Sequence, residues 1–210
     1  MNIKNLVVEF IGTFLFLVVI AAAVALAGDF APIAIGVMLM VMVYAGGHLS
    51  GGHFNPAVTL GAVMRGAAPM SDLLPYWAAQ VLGGVLGAFV GNYIAGAGGG
   101  GLNTDAAMEF GPGVLAEIIG TFALVYVVLN VATAKNNEGN SFYGLAIGFT
   151  VMAFAFAVGG VSGGAFNPAV GTGVTLAGIA PIGNLLYYWI ANLIGGALAA
   201  LAFNYVNVDK

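Results

Sequence analysis

Long apolar runs dominate this chain, and six of them are long enough to cross a lipid bilayer as helices. A helix needs about 20 predominantly apolar residues to span the hydrocarbon layer. The six predicted spans, each bounded to within a few residues, are 6–27, 33–50, 72–95, 112–133, 142–160 and 181–206. The pattern predicts an all-α membrane protein. The first run is too long and too well embedded among later spans to be a cleaved signal peptide.

Composition agrees with a chain whose main partner is the lipid bilayer. Only 6% of the residues are charged and 61% are hydrophobic, with a mean hydropathy of +1.04. A water-facing surface needs about four times that share of charges, so a soluble monomer is excluded. The absence of cysteine excludes disulfides and thiolate metal sites, and two histidines alone do not make a metal site. We therefore expect neither a cofactor nor enzymatic activity, and the net charge of −4 provides no basic surface for nucleic acid.

The few charges indicate an orientation in the membrane. Counting the spans in order puts every positive side chain on one side: Lys4, Arg65, Lys135 and Lys210. The other side carries only acidic groups: Asp29, Asp105 and Glu109, the last two in the predicted outward loop 96–111. Because short cytoplasmic loops carry the excess of Lys and Arg, we expect both termini in the cytoplasm and the protein in the cell (inner) membrane.

The two halves of the chain repeat each other. Asn55-Pro56-Ala57 recurs as Asn167-Pro168-Ala169, and Glu9-x-x-Gly-Thr-Phe recurs as Glu117-x-x-Gly-Thr-Phe. The repeats cover approximately 1–96 and 110–206, within a single channel domain that covers 1–210. Each repeat holds three spans, an odd number, so the second copy is expected to lie inverted in the membrane.

Two apolar segments, 50–66 and 162–178, are too short to cross the bilayer. Asn favours the N-cap and Pro the first turn of a helix, so each segment predicts a half-helix that begins at its Asn-Pro-Ala motif near the midplane. Irregular backbone is tolerated at that depth only inside protein or along a water-filled path. The residues before each motif therefore predict a track of carbonyl groups along such a path: Gly51, Gly52, His53 and Phe54, and Gly163, Ala165 and Phe166.

The paired motifs also predict how a pore would treat solutes. Two half-helix N-termini place about half a positive charge each at the centre, which disfavours cations. The amides of Asn55 and Asn167 would hold a passing oxygen by two donors, so that a bound water cannot relay a proton. Glu9 and Glu117 lie within spans, where they either accept hydrogen bonds from the re-entrant loops or couple transport to protons. The repeated Trp77 and Trp189 are membrane-interface anchors, packing residues or subunit contacts.

These motifs resemble the aquaporin (major intrinsic protein) family, and its bacterial water-channel branch in particular. The resemblance implies six tilted helices plus two half-helices, one pore per subunit and a homotetramer, with Glu9 and Glu117 bracing the loops. It also implies an outer selectivity filter at four positions: Ile35, Ala155, Gly164 and Val170. The family often carries Phe, His, a small residue and Arg there. This chain has no aromatic, His or Arg at those positions, which implies a wider, apolar opening and a weaker outer barrier to protons and cations.

The sequence therefore predicts a passive channel for water in single file and for other small neutral solutes. Those solutes are ammonia, urea, hydrogen peroxide and glycerol. One alternative is a proton- or ion-coupled secondary transporter, against which the scarcity of charge within the spans argues. Another is a non-conducting structural membrane protein held together by its 34 glycines, against which the intact Asn pair argues.

Overall fold

A computed structural model describes residues 2–99, 108 and 110–207. Asp105, Glu109, Lys210 and most of the predicted outward loop lie outside the described residues. Over the described ranges the chain is helical, with six helices long and apolar enough to span a membrane. The predicted fold class is confirmed. The long helices are α1 (Ile3–Leu26), α2 (Ala31–Ser50), α4 (Leu73–Ala97), α5 (Phe110–Thr133), α6 (Tyr143–Ser162) and α8 (Leu185–Val206), and the two short ones are α3 (Pro56–Arg65) and α7 (Pro168–Leu176).

The two short helices begin at the residues that the sequence indicated. Asn55 and Asn167 are extended N-caps whose side chains accept hydrogen bonds from the second helical residue, and a proline occupies the first helical position in each case. Helices of 10 and 9 residues are about 15 Å long, half the thickness of the hydrocarbon layer. They can therefore enter the membrane layer without crossing it.

A left-handed glycine ends each helix that precedes a half-helix. Gly51 follows α2 with φ of 90°, and Gly163 follows α6 with φ of 89°. Their N–H groups donate to the carbonyls of Gly47 and Gly159, four residues earlier. A side chain would be strained in this conformation, so glycine is required where the chain leaves each span and turns back toward the midplane.

Glycines also let each half-helix lie directly against a span of the other half of the chain. A methyl group added at Gly84 of α4 would lie 3.0 Å from the carbonyl oxygen of Ala169 in α7. One added at Gly196 of α8 would lie 2.8 Å from the carbonyl oxygen of Ala57 in α3. These glycines are close-packing sites, and the two halves of the chain hold each other's half-helices in place.

One end of the bundle brings the basic residues Arg65 and Lys135 together at the end of the half-helix α3. The guanidinium of Arg65 donates to the carbonyl of Thr133 at the end of α5 over 3.4 Å. Asn204, near the end of α8, donates to the carbonyl of Met64 over 3.2 Å. The ends of α3, α5 and α8 thus share one face, which we name the Arg65 face. Large apolar side chains lie exposed along the outside of the spans, as lipid contact requires.

Candidate pore

The two Asn-Pro-Ala motifs are joined by a reciprocal pair of hydrogen bonds. The Nδ2 of Asn55 donates to the carbonyl of Phe166 over 2.9 Å, and the Nδ2 of Asn167 donates to the carbonyl of Phe54 over 2.9 Å. Each Oδ1 accepts a backbone N–H of its own half-helix. Since an amide nitrogen carries two hydrogens, each Asn keeps one N–H that these contacts do not use.

Phe54 and Phe166 hold the strained conformation that this junction needs. Their φ angles are 49° and 48°, in the left-handed region that residues other than glycine rarely adopt. Both rings are almost fully buried. They lie against Gly12 of α1 and Gly120 of α5, where an added methyl group would overlap the ring. Sequence reasoning did not predict these glycine–phenylalanine contacts, although the Glu-x-x-Gly spacing that repeats in the two halves could have indicated them.

Glu9 accepts four hydrogen bonds from the first re-entrant loop and from α4. Its Oε1 accepts from Ser50 Oγ at 2.6 Å and His53 N at 3.0 Å. Its Oε2 accepts from Phe54 N at 2.6 Å and Gln80 Nε2 at 2.8 Å. A carboxylate has about four lone-pair sites, so this fully buried group is saturated. These are the contacts that a bracing role requires.

Glu117 makes corresponding contacts in the second half of the chain. It accepts from Ser162 Oγ at 2.7 Å, Ala165 N at 2.9 Å and Phe166 N at 2.7 Å. Asn192 stands where the first half has Gln80, and its oxygen accepts from the hydroxyl of Thr121. In both halves the carboxylate therefore accepts from two backbone N–H groups of the loop. Gln80 donates to Glu9 in the first half, whereas Asn192 bonds to Thr121 in the second.

Two tyrosines that sequence reasoning did not single out also support the loops. The hydroxyl of Tyr76 donates to the carbonyl of Ser50 over 2.9 Å, and that of Tyr188 donates to the carbonyl of Ser162 over 2.9 Å. Each of these serines ends a span. The recurring Tyr-Trp pair in the two halves was the available signal.

A narrow cavity passes the two motifs. It has a volume of about 20 Å³, and Gly52, His53, Asn55, Ala165 and Asn167 from the two loops and caps line it. The remaining lining is apolar and comes from α1, α2, α3, α5 and α6. A site of this size holds about one water molecule. Any water here would therefore pass in single file.

A wide vestibule of about 660 Å³ opens at the Arg65 face. It shares Val43, Gly52, Val128 and Ile147 with the narrow cavity, so the two spaces adjoin. The predicted carbonyl-track residue Gly51 lines this vestibule, as do the charged or titratable side chains His48, Arg65, Lys135 and Glu138. Among the described residues, no group of His, Asp and Glu could hold a metal ion.

The four predicted filter residues line neither of these two cavities. Val170 is buried in the apolar core, and Ile35 packs against that core. Gly164 lies close to Gly159 of α6, one turn beyond Ala155. The structure thus places Gly164 beside the helix that carries Ala155, while no described contact joins all four positions.

The two tryptophans are half-buried and pack against each other rather than standing at opposite membrane surfaces. Their ring centroids are 5.5 Å apart in an edge-to-face arrangement. The indole N–H of Trp77 donates to the carbonyl of Pro56 over 3.0 Å, and that of Trp189 donates to the hydroxyl of Thr172 over 2.9 Å. Of the three interpretations, packing agrees with these contacts, and the two tryptophans pack against the half-helices.

Six spans surround two half-helices whose capping Asn residues line a cavity of about 20 Å³, and this arrangement is typical of a membrane channel. The sequence model of the family described as Major intrinsic protein matches residues 1–203, and the chain belongs to this family.

Individual relatives agree with this assignment. The chain is 34% identical to Aquaporin Z of Brucella melitensis, with 95% of this chain and 96% of that protein covered. It is 39% identical to the probable aquaporin TIP2-2 of Oryza sativa, with 81% and 68% covered. The X-ray structure of the aquaglyceroporin from Plasmodium falciparum has the same fold, with a TM-score of 0.82, 20% identity and coverage of 98% and 97%.

Proposed function

We propose that this channel conducts water and other small neutral solutes passively, and that it excludes protons and ions at the paired Asn-Pro-Ala motifs. The observation that carries this proposal is the reciprocal Asn–Phe bonding beside a cavity of about 20 Å³. Each Asn is fixed by its cap and by the opposite loop, and it keeps one N–H for a solute oxygen. A water held by two such donors points its hydrogens away from the centre and interrupts proton transfer along the file.

The range of solutes follows from the proposed filter at Ile35, Ala155, Gly164 and Val170. These side chains offer no charge and no hydrogen-bond donor. A solute there loses hydration without compensation, but it meets no fixed positive charge and no bulky ring. We therefore include ammonia, urea, hydrogen peroxide and glycerol among the permeants. The relative Aquaporin Z carries a name that agrees with water as the primary one.

The hydrogen bonds of the two buried carboxylates argue against a proton-coupled transporter. Glu9 accepts four hydrogen bonds and Glu117 accepts three, all from groups that fix the re-entrant loops. A coupling carboxylate has to exchange its proton with the transport path, and protonation here would break bonds that hold the loops. In this proposal both residues brace the half-helices.

The assembly and orientation belong to the same proposal. We place the protein in the cell (inner) membrane, with both termini and the Arg65 face on the cytoplasmic side. The positive residues Lys4, Arg65 and Lys135 would then face the cytoplasm. The assembly is a homotetramer with one pore in each subunit, embedded in the bilayer. The exposed apolar side chains of the spans supply the surface for lipid and for subunit contacts.

Stopped-flow light scattering of proteoliposomes tests the transport proposal. Vesicles with the purified protein should equilibrate water, urea, glycerol and ammonia faster than empty vesicles, while an enclosed pH-sensitive dye shows no added proton leak. Asn167→Ala should lower water flux or admit protons, since it removes a central donor. Asn204→Ala, a matched change outside the lumen, should do neither. Fluxes equal to those of empty vesicles would contradict the channel, and flux that depends on a pH gradient would favour a transporter.

A further inference from the structure

The two tryptophans form a contact between the halves of the chain that is separate from the Asn pair. Trp77 belongs to α4 and Trp189 to α8, and their rings meet edge to face with 5.5 Å between the centroids. Neither ring lines the narrow cavity or the vestibule. Both side chains are half-buried, so they contact the half-helices from outside these two spaces.

In the first half of the chain, Trp77 is bonded to the start of the half-helix α3. Its indole N–H donates to the carbonyl of Pro56 over 3.0 Å. Pro56 is the first residue of α3 and directly follows the capping Asn55. A carbonyl oxygen has two lone pairs, so it can accept this bond and a helical bond together. The position of the cap is therefore tied to a ring on α4.

In the second half, the corresponding link passes through a threonine hydroxyl. Trp189 donates to Thr172 Oγ1 over 2.9 Å, and this oxygen lies 2.7 Å from the carbonyl of Pro168. The indole can only donate and the carbonyl can only accept, so the hydroxyl accepts from the first and donates to the second. Leu60 stands in place of Thr172 in the first half, where the indole reaches the proline carbonyl directly.

Each span that carries a tryptophan also contacts the half-helix of the other half. Gly84 of α4 lies against Ala169 in α7. Gly196 of α8 lies against Ala57 in α3. The first turn of each half-helix is thus held between a glycine of one span and a tryptophan of the other. The contact between the two rings joins these spans and completes a closed set of contacts among α3, α4, α7 and α8.

We propose that the Trp77–Trp189 pair is a second junction between the halves, which positions the first turns of α3 and α7 so that the Asn donors keep the alignment that excludes protons. Trp77, Trp189 and Thr172 are positioning residues, since none of them lines the two cavities. The inference rests on the proposed channel function and extends it. Water flux needs the width of the narrow cavity, whereas proton exclusion also needs both free amide N–H groups to meet one oxygen. Loss of the junction should therefore affect proton exclusion more than water flux.

Circular dichroism and fluorescence test the junction without any transport measurement. The chain contains two tryptophans, so an exciton couplet of two indoles can arise only from this pair. The unmodified chain should show the couplet, and Trp77→Phe should abolish it. In the Trp77→Phe background, adding Thr172→Val should shift the emission of Trp189 to shorter wavelength, because its N–H loses an acceptor, and adding Thr172→Ser should not. An unmodified chain without the couplet would overturn the inference.

Proteoliposomes with an enclosed pH-sensitive dye test the consequence for the pore. Trp77→Phe keeps an aromatic ring but removes the N–H, and Thr172→Val keeps both indoles and the size of the threonine. Each change should raise the proton flux per unit of water flux by about threefold to tenfold, the shift in the population of aligned first turns that one net hydrogen bond predicts. Thr172→Ser should retain the ratio of the unmodified chain.

Asn204→Ala is the matched control, since it removes a side-chain bond from the other end of α3, to the carbonyl of Met64 over 3.2 Å. It should leave the ratio unchanged. If the unmodified chain conducts water but Trp77→Phe and Thr172→Val behave like Asn204→Ala, the inference is wrong and the channel remains. If the unmodified chain conducts no water, the proposed function is wrong and the inference fails with it.

A single symmetrical elution peak establishes that each variant is folded. Thr172→Val decides the question if Trp77→Phe does not fold, because it leaves both rings in place.

Discussion

Val170 occupies the third position of the half-helix α7, directly after the second Asn-Pro-Ala motif. Its N–H points at the cap oxygen of Asn167 over 3.4 Å, and its side chain is 4% exposed within the apolar core. At the scale of single residues, this side chain is the part of the proposed filter that lies nearest to the Asn pair. In that proposal it would offer a solute no charge and no hydrogen-bond donor.

We expect Val170→Arg to narrow the range of solutes. The guanidinium would add five donors and a positive charge next to the motif, and it would fill part of the opening. Urea and glycerol permeability should fall by about tenfold with water flux retained, a change comparable to one charge-assisted hydrogen-bond difference. Stopped-flow measurements on proteoliposomes give these ratios.

Val170→Leu is the control for volume, because it adds bulk without charge. It should reduce urea and glycerol fluxes less than Val170→Arg does. If both solutes pass Val170→Arg as fast as the unmodified chain, the assignment of position 170 to the filter is wrong.

At the scale of elements, each half-helix depends on groups outside itself. Asn167 caps α7 from within the segment, but the loop before it is held by Glu117 of α5 and by the hydroxyl of Tyr188 of α8. Gly84 of α4 then lies against its first turn. A helix of 9 residues would be marginal alone. The position of α7 therefore depends on the spans packed around it.

Glu117→Gln should destabilise the protein while leaving its shape nearly unchanged. The amide would keep one acceptor oxygen and turn an NH₂ group toward backbone N–H donors, so buried bonds to a charged group are lost. The expected loss is about 2–4 kcal/mol, seen as a lower melting temperature in detergent, with reduced water flux.

Glu138→Gln is the matched control, since it removes the same charge from an exposed position on the connector between α5 and α6. It should melt close to the unmodified chain. Equal melting temperatures for the two variants would show that Glu117 does not brace the loop.

At the scale of the whole molecule, the Arg65 face differs from the opposite face in charge and shape. The vestibule of about 660 Å³ opens there, lined by the ends of α2, α3 and α5 and the start of α6. The connector at the other end of α1 carries the exposed Asp29. The proposed orientation makes the Arg65 face cytoplasmic, in line with the distribution of positive charge.

Labelling of single introduced cysteines would test this orientation directly, because the chain has no cysteine of its own. A membrane-impermeant maleimide should label Asp29→Cys in intact cells and should label Asn136→Cys only after the cells are opened. Both positions are exposed in the structure. Labelling of Asn136→Cys from outside would reverse the proposed orientation.

The sequence by itself determined the elements of this protein. Six apolar runs predicted the six spans to within a few residues, because the bilayer requires a length and a hydropathy that can be read locally. The half-helices were equally readable, since an Asn cap and a Pro at the first position act within one helical turn. Glu9 and Glu117 were recognisable as bracing candidates because a buried carboxylate in a span needs partners.

Only the tertiary structure decided how these elements meet. The reciprocal bonds between Asn55 and Phe166 and between Asn167 and Phe54 join residues far apart in the chain. No local pattern encodes such a contact. The same is true of Gly12 beneath the ring of Phe54 and of Thr59 behind His53. Local chemistry fixes where a helix starts, whereas the lumen is formed by groups that become neighbours only when both halves pack together.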